Sequence, residues 1–197
     1  MSVDLAGQCL WLRQPVWIPP EDETITTAWF AQALQPPMIF GDLVVAMQPG
    51  MRSIECLDLY TGQLVWYEPL PRVAGLLGVA GSQLIVETSD SLLSFDVPTG
   101  KKTWQQPLRA ALAAHLCGTE ALVIATREEQ PESRRSRATV LKWLDLRDGA
   151  VLHQCRLELP ERELVGPLVA ADQRFWLGHA SPEQPAARNI AELIVAQ

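Results

Sequence analysis

A chain of 197 residues, with 48% hydrophobic and 20% charged residues, has the composition of a folded core and not of a disordered tether. Its formal net charge of −7 argues against nucleic-acid binding through a broad basic surface. No apolar run reaches the roughly 18 residues a membrane-spanning helix needs, and the start MSVDLAGQCLWLRQPVW lacks the basic head and apolar core of a signal peptide.

In chain order, residues 2–16 read as a strand–turn–strand half unit, turning at Gly7 and carrying Trp11 on the way out. Residues 17–35 break the pattern as an insertion or linker. Pro19, Pro20 and the acids Glu21, Asp22 and Glu23 mark a surface loop, or lead into a short helix from Thr24 to Leu34. From residue 36 the chain becomes regular. Met38 to Gly41 and Asp42 to Met47 read as two short strands, followed by a hairpin from Ser53 to Leu59 and from Gln63 to Tyr67. The next unit repeats this with Leu76 to Ala80, Gln83 to Glu87, Ser91 to Phe95 and Lys102 to Gln106. A third begins with Ala113 to Cys117 and Ala121 to Thr126. Residues 127–137, REEQPESRRSR, then read as a solvated loop between two strands, with Arg134, Arg135 and Arg137 clustered in it as a candidate partner-binding surface. The last unit runs from Leu164 to a final strand, Ile190 to Ala196, and stops one strand short.

One string organises these units. Cys56 to Trp66 reads as a strand, a turn Asp58-x-x-Thr61-Gly62, and a second strand reaching Trp66. It returns as Asp96, Thr99, Gly100 and Trp104, and in weaker form as Asp145 and Gly149 with His153 in the aromatic place. Gly is required where the turn needs positive φ, and flanking Asp and Thr oxygens can take nearby backbone N–H groups. The aromatic follows its Gly by four residues in each copy (66−62, 104−100, 153−149, 11−7), so it keeps to one face of its strand. A large ring at a constant place on each sheet suits packing between neighbouring sheets; stacking on a ligand is the alternative use.

The fold expected is all-β: a propeller-type array of four-stranded antiparallel blades, about four in number, forming one domain over 1–197. Units at about 36–71, 72–108 and 109–160 are full blades. A fourth combines 161–197 with 2–16, the strand near Leu10 to Leu12 supplying the one missing after Val195; an open arc is the competing arrangement. The four cysteines make no CxxC pair and read as buried free thiols, with a disulfide or a metal site as alternatives. His115, His153 and His179 fall in different units, away from any metal-ligand spacing.

At Asp58-Thr61-Gly62-Trp66 and Asp96-Thr99-Gly100-Lys101-Trp104 the chain resembles the tryptophan-docking repeat of pyrroloquinoline-quinone-like β-propellers, A-x-D-x-x-T-G-K-x-x-W. Ser94 and Cys56 stand in the place of the Ala, and Gln63 in the place of the Lys of the first copy. Resemblance to this family implies several roles. Its quinoprotein dehydrogenases hold the quinone with Ca²⁺, often under a disulfide between adjacent cysteines, and this chain has neither that pair nor a haem motif. Its outer-membrane assembly lipoproteins use the propeller as a protein-binding scaffold without cofactor. Long bacterial repeat proteins form a third group, of which this chain would be a C-terminal part.

The resulting expectation is a non-catalytic repeat module that binds protein or serves as scaffold, with no catalytic, cofactor-binding or metal residues. Its partner would be a protein and not nucleic acid, with a homo-oligomer or the rest of a longer chain as further partners. The alternatives are a fragment of a quinone- and calcium-dependent dehydrogenase, or a hydrolase built on His115 or Asp172. The missing signal peptide implies the cytoplasm by default, or the cell envelope if the chain comes from a longer precursor.

Overall fold

Short runs of aliphatic and β-branched residues, cut every few positions by Gly, Asp or Pro, favour brief extended segments joined by tight turns. Every regular element described in the computed structural model is accordingly a β-strand. The structure describes residues 2–3, 9–11, 36–48, 53–70, 73–108, 111–130, 133–157, 164–171, 174–180 and 188–194. The turn at Gly7, the 17–35 insertion, Leu12, Asp172, most of the 181–189 loop and Val195 therefore lie outside the described residues.

The chain divides into two compact units, residues 1–105 and 106–197. In the first, β1 (Ser2–Val3) and β2 (Cys9–Trp11) form a two-stranded sheet. Next come β3 (Met38–Phe40), β4 (Leu43–Gln48), β5 (Ser53–Asp58) and β6 (Leu64–Pro69), hydrogen-bonded in that order. β7 (Val73–Ala80), β8 (Gln83–Thr88), β9 (Ser91–Asp96) and β10 (Lys102–Pro107) make a second four-stranded sheet, whose last strand reaches the boundary of the unit. In the second unit, β11 (Ala111–Cys117), β12 (Ala121–Gln130), β13 (Ser133–Asp145) and β14 (Val151–Leu157) form a third such sheet. It is followed by a three-stranded sheet of β15 (Leu164–Ala171), β16 (Arg174–Ala180) and β17 (Arg188–Ile194). The fold is an all-β array of four-stranded antiparallel sheets of the propeller-blade kind, each strand pairing with its neighbour in sequence.

Equivalent strands bury equivalent residues. β5 and β9, the third strands of their sheets, are buried along nearly their whole length because both faces are covered. In the first unit Val45, Ile54 and Cys56 of one sheet and Leu84, Val86 and Phe95 of the next join one apolar cluster. Burying each large aliphatic or aromatic side chain there contributes about 1.5–3 kcal/mol before the cost of ordering it. The outer strands β6 and β14 carry mostly exposed side chains, as the last strand of a sheet should.

One expectation fails. Residues 127–137 are not a loop between short strands. β12 runs on to Gln130 and β13 starts at Ser133, paired through Arg127↔Thr139, Glu128↔Ala138, Glu129↔Arg137 and Gln130↔Ser133. Polar composition suggested a loop, but strands built from polar residues show no apolar alternation, so hydropathy does not reveal them. β2 pairs with β1, and β17 pairs with β16 along its whole length.

Candidate functional site

The turn between β5 and β6 is held by its first residue. Asp58 accepts the Gly62 N–H on its backbone carbonyl at 2.9 Å and donates its own N–H to Gln63 O, also at 2.9 Å. Its carboxylate Oδ1 accepts from Tyr60 N at 3.0 Å, Thr61 N at 2.7 Å and Thr61 Oγ1 at 2.9 Å. These bonds favour the ionised form, and the backbone and hydroxyl bonds from Thr61 hold the Asp58 carboxyl below its ordinary range. The next turn repeats the frame: Asp96 O takes Gly100 N at 2.8 Å, and Thr99 Oγ1 donates to Asp96 Oδ2. Gly62 and Gly100 both sit at φ +69°, left-handed backbone that strains any residue with a Cβ.

The rings use these turns as seats. Trp11 Nε1 donates to Leu59 O at 2.8 Å, and Trp66 Nε1 to Val97 O at 2.6 Å. A Cβ placed on Gly62 would come within 2.6 Å of Trp11 Cδ2, and one on Gly100 within 2.6 Å of Trp66 Cδ2. Each ring therefore lies flush on the bare backbone of the next turn, its N–H capping the carbonyl of the residue after the Asp. That same residue is tied back to its own sheet, since Leu59 N donates to Asp42 O and Val97 N to Ser82 O, both at 2.8 Å. Sequence reasoning found the rings and the glycines but missed Leu59 and Val97, whose contribution is a carbonyl that any residue could supply.

Trp104 on β10 is buried at 7% exposure. The third copy departs from the pattern. His153 is exposed on β14 and packs on Trp143, its cross-strand partner, at 5.2 Å between ring centroids. In its turn Asp148 stands where the Thr would be. The Asp148 carboxylate accepts Ala150 N at 2.8 Å, and Asp145 instead takes Arg147, with Nη2 to Oδ2 at 2.6 Å and Nε at 3.1 Å from both oxygens. The Arg147 side-chain hydrogen bonds, with its backbone N–H and charge, hold the Asp145 carboxyl down to about 2, and the carboxylate raises Arg147 in turn. Gly149 keeps the positive φ, at 74°.

The remaining candidates do not converge. Cys56 is fully buried, and burial pushes its thiol up to about 11; Cys117 and Cys155 are free but only half-buried. The side chain of Cys9 lies outside the described residues. His115 is half-buried on β11, and Asp172, the other residue of the hydrolase alternative, lies outside the described residues. Arg134, Arg135 and Arg137 fall on the β13 half of the ribbon. A calcium–quinone site needs several oxygen ligands converging on the ion. Among the described residues no three His, Cys, Asp or Glu side chains gather into such a cradle.

Among the described residues no helix is long and apolar enough to cross a membrane. Similarity to known proteins was found in structure and in family pattern, while no curated protein matches the sequence. BamB from Moraxella catarrhalis superposes with a TM-score of 0.54 at 18% identity, covering 78% of this chain and 47% of its own. Kuenenia stuttgartiensis hydrazine synthase gives 0.59 at 11% identity, covering 81% of this chain and 50% of that one. A quinohemoprotein alcohol dehydrogenase from Pseudomonas putida gives 0.50 at 12% identity, covering 73% and 28%. The chain thus spans half or less of the length of these structures, and at such identities they establish the fold alone. The family model described as "Outer membrane protein assembly factor BamB" matches residues 50–181, from the first hairpin signature into the last sheet. With its repeated Asp–Gly turns seating the preceding tryptophan, and with two thirds of its length matched, the chain belongs to that BamB family of β-propeller repeat proteins.

Proposed function

We propose that this chain is a non-catalytic, protein-binding or scaffold module that works without a bound cofactor. The observation that carries this reading is where the repeat chemistry goes. The aromatic, glycine, aspartate and hydroxyl groups that make the sequence distinctive are spent on holding turns and seating one sheet on the next, as at Trp66 and Gly100. What varies between repeats is the outer surface and the hairpin lengths, the parts of a scaffold that carry recognition. Membership of a family described by an assembly factor points the same way.

Two measurements on the purified chain decide between this and the dehydrogenase-fragment alternative. Melting with added pyrroloquinoline quinone and Ca²⁺ should leave Tm unchanged, and an alcohol with an electron-accepting dye should give no reduction. A protein captured from the chain's own host should form a complex of fixed stoichiometry that survives gel filtration. A rise of several degrees in Tm with quinone and Ca²⁺, together with dye reduction, would overturn the proposal, because a ligand of the native state stabilises it by mass action.

A further inference from the structure

The repeat leaves one large feature unexplained. The interval between motif glycines is 38 residues from Gly62 to Gly100 but 49 from Gly100 to Gly149, and the surplus falls on the β12–β13 hairpin. β11 pairs with β12 only as far as Ala111↔Thr126, and β14 pairs with β13 only as far as Thr139↔Leu157. Past those pairs the strands Arg127–Gln130 and Ser133–Ala138 have, among the described residues, only each other. At roughly 3.3 Å per residue, four residues carry this ribbon about 13 Å beyond its sheet. Its root is polar but buried: Thr126 and Thr139 are 4% and 7% exposed, and Thr126 Oγ1 lies 3.4 Å from Val140 O.

We propose that this ribbon is a docking arm that takes an acidic segment of a partner protein. Arg134, Arg135 and Arg137 stand within four residues of one another on a chain whose net charge is −7. Every basic residue from 127 to 138 is Arg, whose planar fork grips a carboxylate through two parallel hydrogen bonds where Lys offers a point charge. The register adds a second reason. Between Glu129↔Arg137 and Gln130↔Ser133, the residues Arg134, Arg135 and Ser136 have no counterpart on β12. A bulge of this kind interrupts the edge and blocks regular strand addition, so recognition here runs through charge and not through the backbone. An anionic membrane is disfavoured as the occupant: it presents its charge broadly and repels a chain of net −7, whereas a short acidic peptide can engage the 134–137 stretch alone, which holds three arginines and no acid, the ribbon's own Glu128, Glu129 and Glu132 lying before it in the chain.

The test measures anisotropy of a fluorescein-labelled ten-residue Asp/Glu-rich peptide on the full chain. Saturable binding is expected, weakening about five-fold or more between 50 and 200 mM salt as screening grows. Binding should fall at least about ten-fold in R134Q/R135Q/R137Q, whose Tm should match the parent. The R134K/R135K/R137K variant keeps the charge and should fall between the two. No saturable binding by the parent, or equal binding by the Gln variant, overturns the proposal. So does uptake by phosphatidylglycerol vesicles in place of the peptide, or a concentration-dependent dimer abolished by the same substitutions. The arm rests on the protein-binding reading. A Gln variant that still forms the captured complex described above removes the arm and leaves that reading standing.

Discussion

The ring of Trp66 lies on Gly100, so close that a methyl group there would meet its Cδ2 and Cγ at 2.6 Å. The indole N–H meanwhile reaches Val97 O, three residues before that glycine. Trp11 stands in the same relation to Gly62 and Leu59, again three residues apart. Two sheets in succession thus receive a ring by the same pair of devices: a bare glycine to lie on and a carbonyl to cap. Neither device works alone, because a glycine without the ring leaves a groove and a ring without the glycine has no seat.

Truncating the ring should separate these two parts. Trp66→Phe keeps most of the apolar contact but leaves Val97 O without its donor, at a cost of about 1 kcal/mol. Trp66→Ala also empties the seat and should cost about 3 kcal/mol, the lower end for large-to-small changes because Trp66 is only half-buried. Urea denaturation of the two variants measures both. A Trp66→Ala variant within half a kcal/mol of the parent would mean that the ring does not hold the sheets.

The glycine side is tested by a matched pair. Gly81 and Gly100 both have positive φ, at 58° and 69°, so alanine pays a similar backbone strain of about 1 kcal/mol at either place. A Cβ on Gly81 meets nothing within 4 Å, whereas one on Gly100 strikes Trp66. Gly100→Ala should therefore be more destabilising than Gly81→Ala by about 1–3 kcal/mol. In the Trp66→Ala background that excess should disappear, a non-additivity that a double-mutant cycle reads directly.

The third turn makes a prediction about pH. Asp145 is held down to about 2 in the folded chain, by the Arg147 hydrogen bonds first and its charge second. A carboxyl lowered by folding contributes stability that is present above its unfolded value near 4 and is lost as pH falls through about 2. Arg147→Gln removes the guanidinium and should raise the Asp145 titration midpoint toward 4, followed by carboxyl NMR. The difference in stability between variant and parent should be fully present at pH 6 and shrink as pH falls below about 4. A midpoint that does not move would place the cause in the turn backbone alone.

How far the residues foretold this arrangement depends on the kind of signal. Asp58, Thr61, Gly62 and Trp66 were legible because each has a stereochemical requirement that few other residues meet, and the requirement recurs at a constant stride. The strands were legible from alternation and punctuation, two in the opening half unit, four in each full unit and three at the end. The seats were not, since Leu59 and Val97 act through carbonyls that every residue owns. Arg147 was missed because it replaces a short turn bond with a long side chain, a swap visible only once Asp145 is placed. The ribbon at 127–138 was misread as a loop because its nearly all-polar sequence lacks the apolar alternation by which strands are identified.

Cysteine reactivity reports on whether the sheet interior is as closed as the packing implies. Cys56 has no exposed surface and sits in the apolar cluster with Ile54 and Phe95. Burial raises its thiol to about 11, so at pH 8 only about one molecule in a thousand carries the reactive thiolate, and that sulfur is also shielded from solvent. Cys117 and Cys155 are raised by burial as well, but both are only half-buried. In a Cys9→Ser background, which removes the fourth thiol, iodoacetamide at pH 8 should label Cys117 and Cys155 first. Cys56 should follow only at the rate at which the sheets open. Peptide mass spectrometry over time gives the three rates, and low urea should accelerate Cys56 most because its labelling needs the largest opening. If Cys56 were labelled as fast as Cys155 in native buffer, the two sheets would be parting far more easily than the seated rings of Trp11 and Trp66 should allow.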